Sequence, residues 1–263
     1  MKEDAAKICR RLLDSGEVDG VLGLEMAGNI PTPKVFAKGD DLDRFEVEPV
    51  FPVVTLLRNI WPFTGKERIA LVVRGCHELA IKELAKREMI DLRRIHMVGL
   101  ACSEEQAKTC RCLRPYPTKT DIGTKVRGVE DELAKSLRKM SLEERGRFWE
   151  EQFKKCNKCY GCSENCPVCV CEDCALEDCA FVRTEGIPPS KAFHIIRAYH
   201  VADKCIECGE CERSCPVAIP LRSLQRMLAE DIKELFGYQA GMDDRQSPIV
   251  TTLEDAPLKE ESE

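Results

Sequence analysis

The sequence lacks several features that would place it in a common class of protein. No apolar run approaches the roughly 20 residues that a membrane-spanning helix needs. The amino terminus, Met-Lys-Glu-Asp, is charged and no apolar segment follows it, so we expect no secretory signal. Basic residues number 40 against 46 acidic ones, a balance that argues against a nucleic-acid partner. No G-x-G-x-x-G segment or other phosphate-binding loop is present.

Cysteine, by contrast, is abundant, with 17 in 263 residues, and twelve of them fall between positions 156 and 215. Most of these twelve are one to three residues from the next, too close for ordinary disulfide geometry but well placed to share a metal centre. The total is odd, so a fully disulfide-paired monomer is impossible. The pattern predicts thiolate ligands kept reduced in a cytoplasm.

Two runs of four cysteines share one spacing, and each run ends in Cys-Pro. They are Cys156-x2-Cys159-x2-Cys162-x3-Cys166 and Cys205-x2-Cys208-x2-Cys211-x3-Cys215. The spacing resembles the ligand pattern of two-cluster bacterial ferredoxins, in which the fourth cysteine of each run binds the other run's 4Fe-4S cubane. That arrangement implies one cluster on Cys156, Cys159, Cys162 and Cys215, and a second on Cys205, Cys208, Cys211 and Cys166. Zinc ribbons use separated C-x2-C pairs instead, so structural zinc is a poor match.

Four further cysteines lie between the two runs, at Cys169, Cys171, Cys174 and Cys179. They could bind a cubane by themselves or complete one elsewhere, and the alternative is a group of redox-inert thiols. Crowded exposed thiolates would oxidise, which argues against that alternative. Cys179 is the weakest ligand candidate of the four. We expect at least three clusters and allow a fourth.

The first half of the chain predicts a small parallel sheet. A helix over 4–14, with Cys9 as a core thiol, precedes a strand at Val21–Leu24, and residues 28–33 look like a loop. A helix follows Pro52. A strand–helix–strand unit comes next, formed by a strand at Ile69–Val73, a helix over 77–89 and a strand over 95–100.

Cysteines follow both strands of that unit. Cys76, in an expected Arg74-Gly75-Cys76 turn, and Cys102 each come just after a strand, so both belong to the carboxyl edge where α/β sheets place ligands. Cys110 and Cys112 follow shortly afterwards. The four thiols predict a metal site above this edge, and the alternative is four unrelated core thiols.

The second half predicts helices around the cysteines. Residues 127–155 are charged and helical, with a capping box at Ser141. A helix over 191–201 carries His194 and His200, which we interpret as surface or capping residues. Another helix runs from Pro220 to Gly237. The predicted domains are an α/β domain at 1–126, a helical connection at 127–155, a ferredoxin-like α+β iron–sulfur domain at 156–241 and a polar tail at 242–263.

The sequence resembles one family. The matching features are the Arg74-Gly75-Cys76 segment, the later cysteines 102, 110 and 112, and the runs KCNKCYGCSENCPVCVCEDC and DKCIECGECERSCPVAIPLR. It comprises iron–sulfur proteins related to the beta subunits of deazaflavin-reducing hydrogenases and formate dehydrogenases. The resemblance implies an anaerobic complex in which this subunit passes electrons between a catalytic subunit and a flavin or heterodisulfide-reductase-like subunit. The family's catalytic members carry the cluster segment ahead of a longer flavin-binding part, whereas here a short α/β part comes first. Flavin binding is therefore not inferred from the resemblance. The alternative to an electron-transfer subunit is a flavin- or deazaflavin-dependent oxidoreductase with its own cofactor site.

Overall fold

A computed structural model describes residues 1–171, 173–178, 182 and 186–249 of the chain. The described part contains a small sheet surrounded by helices. The strands are β1 (Gly20–Ala27), β2 (Ile30–Phe36), β3 (Phe45–Glu46), β4 (Ile69–Val73) and β5 (Ile95–Gly99). The helices of the first half are α1 (Lys2–Ser15), α2 (Val53–Ile60), α3 (Gly75–Lys86) and α4 (Glu104–Thr109). Those of the second half are α5 (Glu132–Lys139), α6 (Leu142–Phe153), α7 (Gly161–Glu164), α8 (Lys191–Ala202), α9 (Glu210–Arg213) and α10 (Leu221–Phe236).

The sheet is mixed, with strand order β2-β1-β4-β5, whereas the sequence predicted a parallel one. Strands β1, β4 and β5 are parallel, but β2 and β3 both pair with β1 in the antiparallel sense. The expected loop at 28–33 was wrong, because β2 begins at Ile30 and pairs with Ala27 across a two-residue turn. A Gly-Asn pair at that turn is a recognised hairpin signal. The prolines of β2 are tolerated because it is an edge strand.

The predicted strand–helix–strand unit is confirmed. Strands β4 and β5 pair in parallel over their full length, and α3 connects them. One detail was wrong, since Gly75 and Cys76 do not form a turn of their own. They begin α3, and Arg74 is its extended N-cap residue. Cys76 is therefore held by the first turn of a helix at the carboxyl edge of the sheet.

Each face of the sheet has its own core, because successive side chains of a strand point to opposite faces. Ala70 and Val72 of β4 face the core beneath α1, where Cys9 is completely buried as expected. The other face carries the second core, which includes residues of the cysteine-rich half. Its members come from β4, α2 and α3, and also from the later chain at Cys166, Val168, Ile206, Ile232 and Tyr238. The cysteine-rich segment therefore packs directly on the sheet.

The helices of the second half agree with their sequence signals. Ser141 and Glu144 form the predicted capping box at the start of α6, and α10 ends at Gly237 in a left-handed conformation. Of the helices in the described ranges, none has the length and apolar character of a transmembrane segment. Within the predicted tail at 242–263, residues 250–263 lie outside the described part of the chain.

Candidate metal centres

The two four-cysteine runs fold into the same local structure. In each run the residue before the second cysteine and the residue after it have positive φ angles. The values are 57° at Lys158 and 57° at Tyr160 in the first run, and 55° at Glu207 and 80° at Gly209 in the second. A one-turn helix then follows, α7 in one run and α9 in the other. The sequence repeat is therefore also a structural repeat.

Both loops aim backbone amides at thiols. In each case an amide nitrogen lies 3.4 Å from a cysteine Sγ, in the pairs Lys158–Cys156, Glu207–Cys205 and Ile219–Cys215. An amide N–H directed at sulfur stabilises negative charge on it and shifts the potential of a thiolate-bound cluster. The loops are therefore shaped for anionic sulfur rather than for neutral packed thiols.

The first group of thiols surrounds one cavity. Cys156, Cys159, Cys162 and Cys215 all line it, so the last cysteine of the second run joins the first three of the first run. Burial raises the pKa of Cys156, and the neighbouring thiols of Cys159 and Cys215 raise it further. We call this set the first thiol group. Its members are the four that the ferredoxin arrangement implies for one cluster.

The second thiol group is the reciprocal set of Cys205, Cys208, Cys211 and Cys166. Cys166 is only 8% exposed and packs in the same core as Cys208. Burial raises the pKa of Cys205 to about 12, and Cys166 contributes to that increase. Burial likewise raises the pKa values of Cys208 and Cys211, again with Cys166 among the causes. This group is the most enclosed one in the described chain.

The four cysteines of the sheet edge also come together. Burial raises the pKa of Cys76 to about 12, and Cys112 and Cys102 are the next largest causes. Burial also raises the pKa of Cys102 to about 11; Arg74 opposes this increase, while Cys112 and Cys110 add to it. Such electrostatic coupling requires the thiols to be neighbours. We call Cys76, Cys102, Cys110 and Cys112 the sheet-edge group.

The loop after α4 closes over the sheet edge and explains this convergence. A Cβ atom at Gly75 would collide with the carbonyl oxygen of Arg114, and one at Gly99 with that of Lys119. Glycine is needed at both positions because the backbone of the loop lies against the strand ends. The amide of Cys102 also donates to the carbonyl oxygen of Pro115 at 2.8 Å. The same loop thus brings Cys110 and Cys112 to the edge.

The remaining candidate set lies beside the second thiol group. Burial raises the pKa of Cys169 to about 11, with Cys166, Cys171 and Cys174 among the neighbours that raise it. Cys171 is exposed. The predicted ligand Cys179 lies outside the described residues. The structure therefore gathers three of these four thiols and does not describe the fourth.

In the described ranges, no three or more His, Cys, Asp or Glu side chains are gathered tightly enough for a single metal ion. Each thiolate of a cubane binds a different iron atom, so the four ligands of a cubane are more widely spaced than those of one ion. The first, second and sheet-edge groups each provide four thiols. These donor sets fit the chemistry of 4Fe-4S clusters.

The groups adjoin one another. Arg213 bridges two of them, because its Nη1 lies 3.5 Å from the Sγ of Cys110 and its Nη2 donates to the carbonyl oxygen of Cys208 at 3.0 Å. Cys162 of the first group is among the charges that raise the pKa of Cys211 in the second, after the effect of burial. The sheet-edge group, the second group and the first group therefore form a series.

One histidine was misjudged from the sequence. His200 is exposed, as expected, but His194 is only 5% exposed and stacks on Phe153 with ring centroids 4.0 Å apart. Burial lowers the pKa of His194 to about 4. Arg197 is buried on the same helix face and was not predicted from the sequence. Phe193, His194, Arg197 and Ala198 follow the i, i+3, i+4 spacing of a buried stripe, and that spacing could have located both.

Comparison with known proteins is consistent with this site. Residues 198–220 match the family model of the 4Fe-4S binding domain. One relative, the F420-dependent formate dehydrogenase subunit beta of Methanocaldococcus jannaschii, is 34% identical over 140 residues, 52% of this chain and 37% of its own length. Another, the F420-dependent formate dehydrogenase 1 subunit beta of Methanococcus maripaludis, is 36% identical over 140 residues, 52% of this chain and 36% of its own. The match thus spans little more than a third of these relatives. The chain is an iron–sulfur protein related to such beta subunits, which confirms the resemblance seen in the sequence.

Proposed function

We propose that this relative of formate dehydrogenase beta subunits relays electrons through several 4Fe-4S clusters within a larger oxidoreductase complex. The observation that carries the proposal is the series of adjoining four-thiol groups, two of which repeat one ferredoxin-type loop. When bound, the clusters supply one-electron carriers, and the chain needs no substrate of its own to use them in this way.

The proposed ligands are the thiol groups already described. The first cluster is assigned to Cys156, Cys159, Cys162 and Cys215, the second to Cys205, Cys208, Cys211 and Cys166, and a third to Cys76, Cys102, Cys110 and Cys112. A fourth is assigned to Cys169, Cys171 and Cys174, with Cys179 as the remaining ligand from its place in the sequence.

The protein part provides binding, charge stabilisation and exclusion of water. Loop amides point at Cys156, Cys205 and Cys215, and the apolar core encloses Cys166 and its neighbours. Only Cys159 and Cys171 among the described cysteines are exposed. Electrons would therefore enter and leave near Cys159 of the first group and near Cys171 of the set beside the second group, with the enclosed second group between them.

The partners follow from the relatives, which are named as subunits of formate dehydrogenases. We propose that this chain docks to a catalytic oxidoreductase subunit, such as a formate dehydrogenase or hydrogenase, and to a flavin or heterodisulfide-reductase-like subunit. Clusters of exposed thiolates survive only where oxygen is excluded, so an anaerobic cytoplasm suits the complex.

A second candidate, a deazaflavin-dependent subunit with its own cofactor site, is favoured by the F420-dependence of the named relatives. Such a cofactor would lie over the sheet edge, where α/β sheets place their ligands. There, the guanidinium of Arg74 already donates hydrogen bonds to the carbonyl oxygen of Val47 at 2.8 Å and to the carboxylate of Glu48 at 3.1 Å. The backbone from Arg114 to Lys119 also covers Gly75 and Gly99. These contacts favour the electron relay.

Anoxic purification followed by measurement of iron, sulfide, zinc and flavin per chain distinguishes the two candidates. The relay requires about eight iron atoms or more with matching sulfide, as two or more cubanes demand, and no stoichiometric flavin. Stoichiometric flavin or deazaflavin would support the second candidate instead. Zinc without sulfide would contradict both.

A further inference from the structure

The side chain of Arg197 is buried between the first and second thiol groups. It belongs to the inward face of α8 and is 7% exposed. Its Nη2 donates to the carbonyl oxygen of Cys162 at 2.6 Å. Its Nε and Nη1 are buried and have no hydrogen-bond partner within the described chain. These two nitrogen atoms carry three N–H groups, which are therefore left in the protein interior without an acceptor in the described chain.

Arg197 also forms no ion pair with a carboxylate of the described residues, whereas two other buried arginines do. Arg226 pairs with Glu207, and Arg74 pairs with Glu48 at 3.1 Å. A buried guanidinium without a negative partner is strongly unfavourable, because it has lost its hydration. Negative charge of another kind would therefore stabilise Arg197 in this place.

The neighbouring groups that can carry negative charge are cysteine thiols. Arg197 lines the cavity of Cys156, Cys159, Cys162 and Cys215. The thiols of Cys166, Cys162, Cys169 and Cys211 are close enough to interact electrostatically with its guanidinium. The guanidinium thus lies against the ligands of both ferredoxin-type groups at once.

We propose that Arg197 is the shared countercharge of the first and second thiol groups, and that it makes the reduction potentials of the clusters held there more positive. The inference rests on the proposed function. Reduction adds an electron to a cluster that is already negative, so a fixed buried cation stabilises the reduced form more than the oxidised one. Hydrogen bonds from its free N–H groups to ligand sulfur act in the same direction.

The test compares Arg197→Gln, Arg197→Lys and wild type by iron content and by redox titration followed with electron paramagnetic resonance. Arg197→Gln removes the charge, and Arg197→Lys keeps it but loses the planar set of donors. The control is Arg138→Gln, whose wild-type side chain pairs with Glu230 and Asp231 at 2.7 Å on the surface of α10. It removes the same charge at a place without thiols.

We expect Arg197→Gln to keep its fold and to shift at least one potential to a more negative value. Arg197→Lys should shift it less, and Arg138→Gln should leave it unchanged. Loss of about four iron atoms from a folded Arg197 variant also supports the proposal, since it places the guanidinium at a cluster. Either variant with full iron and wild-type potentials would overturn it, as would unfolding of both variants, which would make Arg197 merely structural. Wild-type protein without iron would instead contradict the proposed function.

Discussion

The Nη1 of Arg58 lies 3.0 Å from the carbonyl oxygen of Cys166. The same nitrogen is 2.5 Å from the carbonyl oxygen of Cys169, and Thr55, one helical turn earlier, donates to the carbonyl oxygen of Asn165 at 3.1 Å. Helix α2 of the α/β part therefore holds the backbone at the end of the first cysteine run. This fixes Cys166 against the sheet, where it can join the second thiol group.

Replacing Arg58 with methionine should destabilise the protein, because two carbonyl oxygens would lose their donor. We expect the free energy of unfolding to fall by about 1–3 kcal/mol, the cost of leaving such groups unpaired. Anoxic denaturant titration measures this change. The control is Arg10→Met, which removes an exposed ion pair with Asp43 and should cost about 0–1 kcal/mol. Equal losses in the two variants would argue against a clamping role for Arg58.

The exchange of fourth ligands can be tested by combining substitutions. If Cys156 and Cys215 bind the same cluster, the double variant Cys156→Ala/Cys215→Ala should lose no more iron than either single variant, about four atoms. Cys205→Ala/Cys215→Ala should lose about twice as much, because these two thiols belong to different groups. Iron and sulfide assays provide the counts. The reverse result, with Cys205 and Cys215 sharing one loss, would assign each run its own cluster.

The sheet-edge group makes a separate prediction. Cys76→Ala and Cys102→Ala should each lower the iron content by about four atoms, provided that the group binds a cluster. Cys9→Ala is the matched control, because Cys9 is also a buried thiol of the α/β part but packs among apolar side chains. It should keep its full iron. Unchanged iron in both edge variants would leave those thiols with a packing role alone.

Glu83 is the buried anchor of the segment that follows α10. Its carboxylate is completely buried, lies 2.5 Å from the Nζ of Lys86 and accepts hydrogen bonds from the amide of Gly241 at 2.5 Å and the hydroxyl of Tyr238 at 3.3 Å. Glu83→Gln leaves Lys86, whose side chain is only 13% exposed, without its countercharge, so we expect a loss of about 3–5 kcal/mol in the free energy of unfolding.

A matched carboxylate provides the comparison for that variant. Glu25 pairs with Lys34 at 2.9 Å on the more exposed β1–β2 hairpin, so Glu25→Gln should cost about 0–1 kcal/mol. Denaturant titration of both variants under one buffer measures the difference. A cost for Glu83→Gln no larger than that for Glu25→Gln would contradict the anchoring role.

Local sequence signals were sufficient for most of the elements. The β4-α3-β5 unit, the capping box of α6 and the extent of α10 were all predicted, because periodicity and capping act over a few neighbouring residues. The Gly-Asn pair between β1 and β2 is a hairpin signal, but together with the prolines that follow it this segment was interpreted as a loop. Those prolines are acceptable only on an edge strand, and strand order is a tertiary property.

By itself, the sequence determined the repeated loops and the number and spacing of the thiols, since these depend on backbone conformation within each run. Tertiary structure decided which thiols meet. Cys166 reaches the second group because α2 and the sheet hold it there, and the loop at Arg114–Lys119 carries Cys110 and Cys112 to the strand ends. It also decided the burial of His194 and Arg197, because only packing of α8 against its neighbours turns one helical face away from water.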